Sequence, residues 1–398
     1  MTSSLNSPVN ITKSTREKAK SAALQLLSYC QQKNWSGYDP YDALNSKIFN
    51  RLPFLNFRLF RLSLTQLLKR SPINVRPLLL VPKMQNPKAL ALFLMSFVKL
   101  SKLGLLPDKQ LIDNMQKRLM ALRSTDTHYW CWGYSFPWQT RTLLVPRYAP
   151  NLVCTTFVAN AMLDAYQEDN DPQWLEMAVS AAEYVLNDLY WEDGKVACFA
   201  YPTPLARSRV HNANFLGAAL LCKVYALTGK DKFLHPAMKV ARYSTAGQNK
   251  NGSWDYGENS TQRWVDNFHT GYNLCALKDI GRYAGTKEFE NHVRLGMQFY
   301  RDHFFREDGA PKYFHNRTYP IDSHSVAQSV ITLLNLKEIC QNTTELAVSV
   351  FEWSMNNMRD TKGYFYYQAY PGLKIRTSYM RWTQAWMLLA LSTLLEEF

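Results

Sequence analysis

HNANFLGAALLCKVYAL (211–227) and, 55 residues further on, DNFHTGYNLCALKDI (266–280) share one design: a start rich in His, Asp and Asn, then an apolar run. NLVCTTFVANAMLDAY (151–166), DSHSVAQSVITLLNL (322–336) and SYMRWTQAWMLLAL (378–391) repeat it, and the last four starts are 55, 56 and 56 residues apart. Each follows a glycine- and aromatic-rich loop whose turn glycines, Gly133, Gly194, Gly252, Gly309 and Gly363, are spaced by 61, 58, 57 and 54 residues. Self-similarity at such a period marks a repeat architecture, in which no unit buries its apolar face alone. A helix that is apolar nearly all round is a buried helix.

Between these segments lie more polar amphipathic stretches at 109–123, 173–188, 232–246, 287–304 and 344–358, read as outer helices. A sixth pair consists of 13–33 and the apolar NPKALALFLMSFVKLSKL (86–103), which opens after Asn86-Pro87, a good helix start. Strand signals are scarce. The expected fold is therefore all-α, an (α/α)6 toroid of six helical hairpins with inner and outer rings. It forms a single domain over 1–398, with residues 35–85 a basic insertion or linker within the first hairpin. An open solenoid is the structural alternative, but it wants polar caps and an open-ended series. Gly217, Ala218, Ala219, Ala327 and Ala385 are expected to let inner helices approach closely.

The 398 residues are 46% hydrophobic, enough for a sizeable core, and carry a net charge of +14. Residues 47–123 hold 15 Lys and Arg against only Asp108 and Asp113, so nearly all the excess charge sits in one early segment. Such a field concentrates anionic partners. Nucleic acid is not among the expected ones, because no nucleic-acid-binding motif accompanies the charge. The seven cysteines are scattered singly with no CxxC, and several lie in apolar helical runs, which suits a reducing compartment. No signal-like stretch opens the chain and no run reaches the ~18–20 apolar residues of a membrane span. The expected location is cytoplasmic; RLPFLNFRLFRLSLTQLLKR (51–70) is read first as packing against the rest of the domain, with peripheral contact with the inner membrane or a synthase complex as the alternative.

In a toroid the loop-to-inner-helix junctions converge on one mouth. Stacking the repeats brings Asn151, His211, Asn214, Asp266, Asn267, His269, Asp322, His324, Tyr379, Arg381 and Gln384 there. Asp and Asn at such starts are ordinary N-caps. Capping alone does not ask for His211, His269, His324 and Arg381 one turn into apolar helices. Loop aromatics Trp132, Tyr134, Trp138, Trp254, Tyr256 and Trp264 have the flat apolar faces that suit sugar rings, although such residues also plug hairpin ends. Two chemistries fit. Asp266 and Asp322 on neighbouring inner helices suit a glycosidase pair of acid and base or nucleophile. Abstraction of the C5 proton of a uronate needs instead a base such as His269 or Tyr379, with Arg381 or Asn214 neutralising charge, and His324 stands beside them as a further catalytic candidate. Zinc is disfavoured, since no HExxH occurs and the histidines lie a whole repeat apart. No Walker or Rossmann loop, and no DDxxD or DxDD of a terpene cyclase, is present. No cofactor is expected.

The segments GYDPYDALNS (37–46), WCWGYSFPWQTR (130–141), APNLVCTTFVANAMLDAY (149–166), RVHNANFLGAALL (209–221), WVDNFHTGYNL (264–274), IDSHSVAQSVITL (321–333) and SYMRWTQAWM (378–387) resemble an uncharacterised bacterial family that occurs with capsular and exopolysaccharide biosynthesis functions. The chain is similar, more distantly, to the six-hairpin glycosidase superfamily, including unsaturated glucuronyl hydrolases, and to α/α-toroid polysaccharide lyases and glucuronyl C5-epimerases. The resemblance implies a sugar-binding mouth lined by aromatics, with Asp, His, Tyr or Arg catalysts at inner-helix ends. The leading expectation is a carbohydrate-active enzyme acting on an acidic glycan or lipid-linked oligosaccharide. It would be glycoside-hydrolase-like, with Asp266 as acid/base assisted by Asp322 or His269. The alternatives are a uronate C5-epimerase or lyase using His269, Tyr379 and Arg381, and a non-catalytic glycan-binding or scaffold subunit. Asp266 and His269 lead because WVDNFHTGY is the densest polar motif.

Overall fold

A computed structural model describes residues 8–398. Its helices are α1 (Pro8–Gln32), α2 (Lys47–Asn50), α3 (Arg58–Arg70), α4 (Pro87–Lys102), α5 (Gln110–Ala121), α6 (Leu152–Asp169), α7 (Pro172–Tyr184), α8 (His211–Thr228), α9 (Leu234–Ala246), α10 (Asn267–Ala284), α11 (Glu290–Phe304), α12 (Ser323–Asn335), α13 (Thr343–Asn357) and α14 (Trp386–Leu395). Helices α4, α6, α8, α10, α12 and α14 each pack on the next, and α14 packs back on α4, which closes the inner ring. The fold is an (α/α)6 toroid.

The inner ring is closed because its members are apolar on every side and lose water by touching two ring neighbours and an outer helix. In α4 and α14 almost every side chain is buried. Starts and stops follow local chemistry. Asn151, Asp266 and Asp322 cap α6, α10 and α12 by accepting the backbone N–H of Cys154, His269 and His324. Gly229 and Gly285 end α8 and α10 in the left-handed conformation.

The outer helices α5, α7, α9, α11 and α13 pack on the inner helix that precedes each of them, whereas α1 packs on α14. The two ends of the chain thus meet at ring closure, and 13–33 is the outer partner of the last inner helix rather than of 86–103. Gly217 serves two neighbours. A Cβ there would lie 2.7 Å from the Phe199 ring and 3.1 Å from Leu152 Cδ1 of α6, so its smallness admits a loop side chain as well as the adjacent inner helix. Of the five turn glycines, Gly194, Gly252, Gly309 and Gly363 have positive φ; Gly133 is needed for close approach instead, since a Cβ would overlap the Ala149 carbonyl.

Among the described residues seven short strands occur, all in the loops at the hairpin ends: β1 (Trp138–Gln139) with β2 (Leu144–Val145), β3 (Tyr190–Asp193) with β4 (Val196–Phe199), and β5 (Ile321–Asp322), β6 (Gln368–Tyr370) and β7 (Leu373–Ile375) in one antiparallel sheet. Residues 35–85 are not a loose linker. They fold into α2, α3 and short turns, with a small core of Ala43, Leu68 and Val81. One buried ion pair fastens them to the ring and a second braces them internally. Arg381 Nε and Nη2 donate to Asp39 at 2.6 and 2.8 Å, and Arg76 Nε donates to Asp42 at 2.7 Å. All seven cysteines are free. Among the described residues no helix is long and apolar enough to cross a membrane.

Candidate functional site

The loops and inner-helix starts surround a cavity of about 490 Å³ at one end of the ring. Its walls are aromatic. Tyr256 and Trp264 stack with ring centroids 4.5 Å apart, and Tyr134 and Phe136 stack at 5.5 Å under the Arg381 guanidinium. A second cavity of about 580 Å³ continues from it past Trp138, Tyr201, Tyr256 and Trp264, and adds Arg207 and Arg209 to the shared Arg141. The insertion contributes Tyr41, Gln66 and Lys69 to the first cavity, so it forms part of the mouth.

Asp266 and His269 meet in the wall. The Asp266 cap geometry places one carboxylate oxygen, Oδ1, on the His269 backbone N–H at 3.0 Å. The other, Oδ2, lies 2.7 Å from His269 Nδ1 and accepts Trp264 Nε1 at 3.0 Å. Asp266 is buried and the His269 ring is part-exposed. A carboxylate at Nδ1 fixes the tautomer with the proton on that nitrogen and leaves the Nε2 lone pair free.

Across the Phe268 ring, which contacts both histidines, lies a second polar chain. His324 Nε2 is 2.6 Å from the Tyr272 hydroxyl, which receives Lys88 Nζ at 3.5 Å. All three side chains are buried. Burial, reinforced by Lys88 and Arg381, holds His324 well below the ordinary imidazole range. Burial, with the Arg381 charge, likewise pulls Lys88 well below the usual ammonium range. Lys88 Nζ sits 4.0 Å from the Phe157 ring centroid with no carboxylate in hydrogen-bond reach.

Of the residues expected at the mouth, the cavity wall brings together Asp266, His269, His324, Arg381, Tyr134, Trp138, Tyr256 and Trp264. The others lie elsewhere. Asp322 is sealed behind the wall: its carboxylate accepts Gln368 Nε2, Trp382 Nε1 and the His324 backbone N–H, and burial raises it to about 6. Tyr379 packs beneath Arg76 and against Tyr367. Asn214 and Gln384 pin loop backbone, through Phe199 N–H and through both Phe365 N–H and C=O. Asn267 accepts Tyr300 and Ser329 hydroxyls. Trp132 and Trp254 are plugs whose indoles donate to the Leu119 and Ser244 carbonyls. Asn151 caps α6, and His211 is buried at the start of α8, its pKa lowered by burial. Among the described residues no three His, Cys, Asp or Glu side chains converge as metal ligands would.

Lys88, Tyr272, Tyr41, Lys69, Tyr201 and Tyr313 complete the wall without having been singled out from the sequence. Lys88 was visible only as one of 15 basic residues. Its signal was position: a lysine two residues after Asn86, at the capped start of an otherwise apolar inner helix.

No protein-family model matches the chain, and no curated protein matches it by sequence. Solved structures do. Cellobiose 2-epimerase from Bacillus thermoamylovorans aligns with a TM-score of 0.62 at 10% identity, covering 80% of this chain and 90% of that one. Unsaturated glucuronyl hydrolase from Streptococcus agalactiae aligns with a TM-score of 0.62 at 12% identity, covering 96% and 92%. The GH76 α-mannanase BT2949 from Bacteroides thetaiotaomicron gives 0.59 at 10%, covering 78% and 86%. These are six-hairpin glycosidase superfamily members, and at such identities the likeness shows that this chain has their toroid fold.

Proposed function

We propose that the protein is a carbohydrate-active enzyme that moves a proton on an acidic sugar, with His269 as base. The observation that carries this reading is the Asp266–His269 contact in a cavity where Asp266 is the only lining carboxylate among the described residues; Glu258 lines the adjoining cavity and is paired there with Arg209. A two-carboxylate hydrolysis needs a second acid across the sugar. Asp322 does not line the cavity, and its carboxylate is committed to three donors. Asp266 itself has three partners, which suits an orienting group rather than a proton donor.

The sugar lies against the Tyr256–Trp264 and Tyr134–Phe136 faces, with its carboxylate near Arg141 and Lys69. His269 Nε2 takes the proton from the carbon next to the carboxylate, and the electron pair moves onto the carboxylate as an enolate. The imidazolium formed is stabilised by Asp266. Tyr272, bonded to His324 and Lys88, returns a proton to that carbon for epimerisation. In an elimination the enolate instead expels the substituent on the neighbouring carbon, and its departing oxygen takes the proton from Tyr272. The aromatic wall, the excess of cations and the fold shared with enzymes named for sugars support this reading. A role in capsular or exopolysaccharide biosynthesis, on a free or lipid-linked oligosaccharide, belongs to the same proposal and rests on the family resemblance.

The test is incubation with uronate-containing oligosaccharides in deuterated water. The expected result is deuterium at the carbon beside the carboxylate, or absorbance from an unsaturated uronate, and loss of both in His269→Asn. Release of reducing ends without either signal would return the hydrolase reading. Tight binding with no turnover would return the scaffold reading.

A further inference from the structure

We infer that the outward face of the insertion, residues 47–83, docks on an anionic lipid bilayer. Of the twelve large hydrophobic side chains exposed among the described residues, eight fall between 48 and 80: Ile48, Phe54, Phe57, Leu59, Leu67, Ile73, Leu78 and Leu80. Phe54, Ile73 and Leu78 are each more than 70% exposed. A folded chain has no reason to hold so many apolar groups in water on one short stretch unless another surface covers them. Along α3 the exposed positions 59, 63, 66, 67 and 70 recur at helical spacing and so form one stripe.

The charge around these groups selects the occupant. Lys47, Arg51, Arg58, Arg70 and Lys83 are exposed among them, and none has a carboxylate partner among the described residues. No Asp or Glu occurs anywhere from 43 to 107. A second copy of this chain would set like charges against like across a two-fold interface, with no acid to relieve them. A bilayer carrying anionic headgroups supplies the missing negative charge and takes up scattered Phe, Leu and Ile without demanding a matched groove. Gln66 and Lys69, on and beside the exposed stripe of α3, line the cavity, so docking brings the mouth close to the headgroups. The docking is independent of the catalytic reading, because it is read by lipid binding alone.

The experiment is flotation of the full-length protein with phosphatidylglycerol-containing vesicles and with pure phosphatidylcholine vesicles. The expected result is co-flotation with the anionic vesicles only, weakened by salt. Phe54→Ser/Phe57→Ser/Leu67→Ser and, separately, Arg58→Glu/Arg70→Glu should each cut the bound fraction at least tenfold, with the thermal midpoint unchanged. These positions lie outside the cavity wall, so both variants fold and keep the site. Failure to float with anionic vesicles overturns the proposal, as does flotation that both variants retain. So does a wild-type dimer in solution that the Ser variant converts to monomer, or capture by an acidic protein partner with no affinity for vesicles.

Discussion

Asp39→Asn removes the negative charge that faces Arg381, and its remaining oxygen is shared between Arg381 and the Tyr41 backbone N–H, which Asp39 Oδ1 accepts at 3.0 Å. The guanidinium is 4% exposed and gives Asp39 two bonds at 2.6 and 2.8 Å. It also lies over the rings of Tyr134, Phe136 and Trp382, which exclude water from it. The asparagine carbonyl keeps one acceptor, so the loss is chiefly that of an uncompensated buried cation. Breaking a buried pair from one side costs about 3–5 kcal/mol. The retained acceptor places this variant near the lower end, at about 3 kcal/mol. With a urea m-value of roughly 3 kcal/mol per molar, the midpoint should fall by roughly 1 M. The assay is urea unfolding followed by far-ultraviolet circular dichroism, with m compared between variants. A second arm isolates charge from shape. Asp39→Leu/Arg381→Met replaces the pair by apolar groups and should recover most of the loss, because neither charge of this pair then remains buried. A fall of less than about 0.3 M for Asp39→Asn, at unchanged m, would refute the reasoning: the guanidinium would then be finding water, and the insertion would not be fastened through this pair.

Three further outcomes follow from the same geometry. Asp266→Asn keeps an acceptor for the His269 backbone N–H but offers an amide donor to Nδ1. Turnover should therefore fall on the order of 10³-fold or more, while calorimetry finds oligosaccharide binding retained. His324 is held neutral in the folded protein, whereas its unfolded imidazole takes a proton as the pH falls through about 6.5. The unfolded state then binds more protons, so stability drops towards acid pH by up to about 1.4 kcal/mol per pH unit. Unfolding of His324→Gln between pH 4.5 and 6.5 should show a slope shallower by that amount. Gln384→Ala orphans the buried N–H and C=O of Phe365 and should cost about 1–3 kcal/mol in urea unfolding, with activity per folded molecule unchanged.

The ring was legible because its signal is long-range and repeated. Five apolar helices behind five polar starts have no way to bury themselves except against one another. The outer helices could be placed because they alternate with those segments. Ring closure by α1 on α14 was not legible in the same way, since every local signal is compatible with α1 pairing forwards to α4. The site was legible only in part. Stacking the repeats finds which residues share a level, but not which way each side chain turns. Asn214 and Gln384 occupy the expected level and turn outward to hold loop backbone, whereas Tyr272 and Lys88 sit in runs that read as core and turn into the cavity.

Asp266 and Asp322 show why residue type at a repeat position does not by itself decide function. Both cap an inner helix through one carboxylate oxygen, and both accept an indole N–H, from Trp264 and Trp382. The capping role is therefore common to the two and explains why the repeat places an aspartate there. They differ in the third donor. For Asp322 it is the Gln368 amide on β6, a group with no titration that closes the carboxylate off from the cavity. For Asp266 it is the His269 ring, on the wall, whose far nitrogen is left for a ligand. The same cap thus fixes loop structure in one repeat and orients a base in another. If proton transfer at this mouth depends on that difference, exchanging the third donor matters more than exchanging the carboxylate. His269→Gln should preserve the α10 cap and the fold while abolishing deuterium exchange. Gln368→His should not create it, because the pocket around Asp322 gives a new imidazole no access to the sugar. Exchange activity gained by Gln368→His in a His269→Gln background would show that the wall, rather than the donor, had been misread.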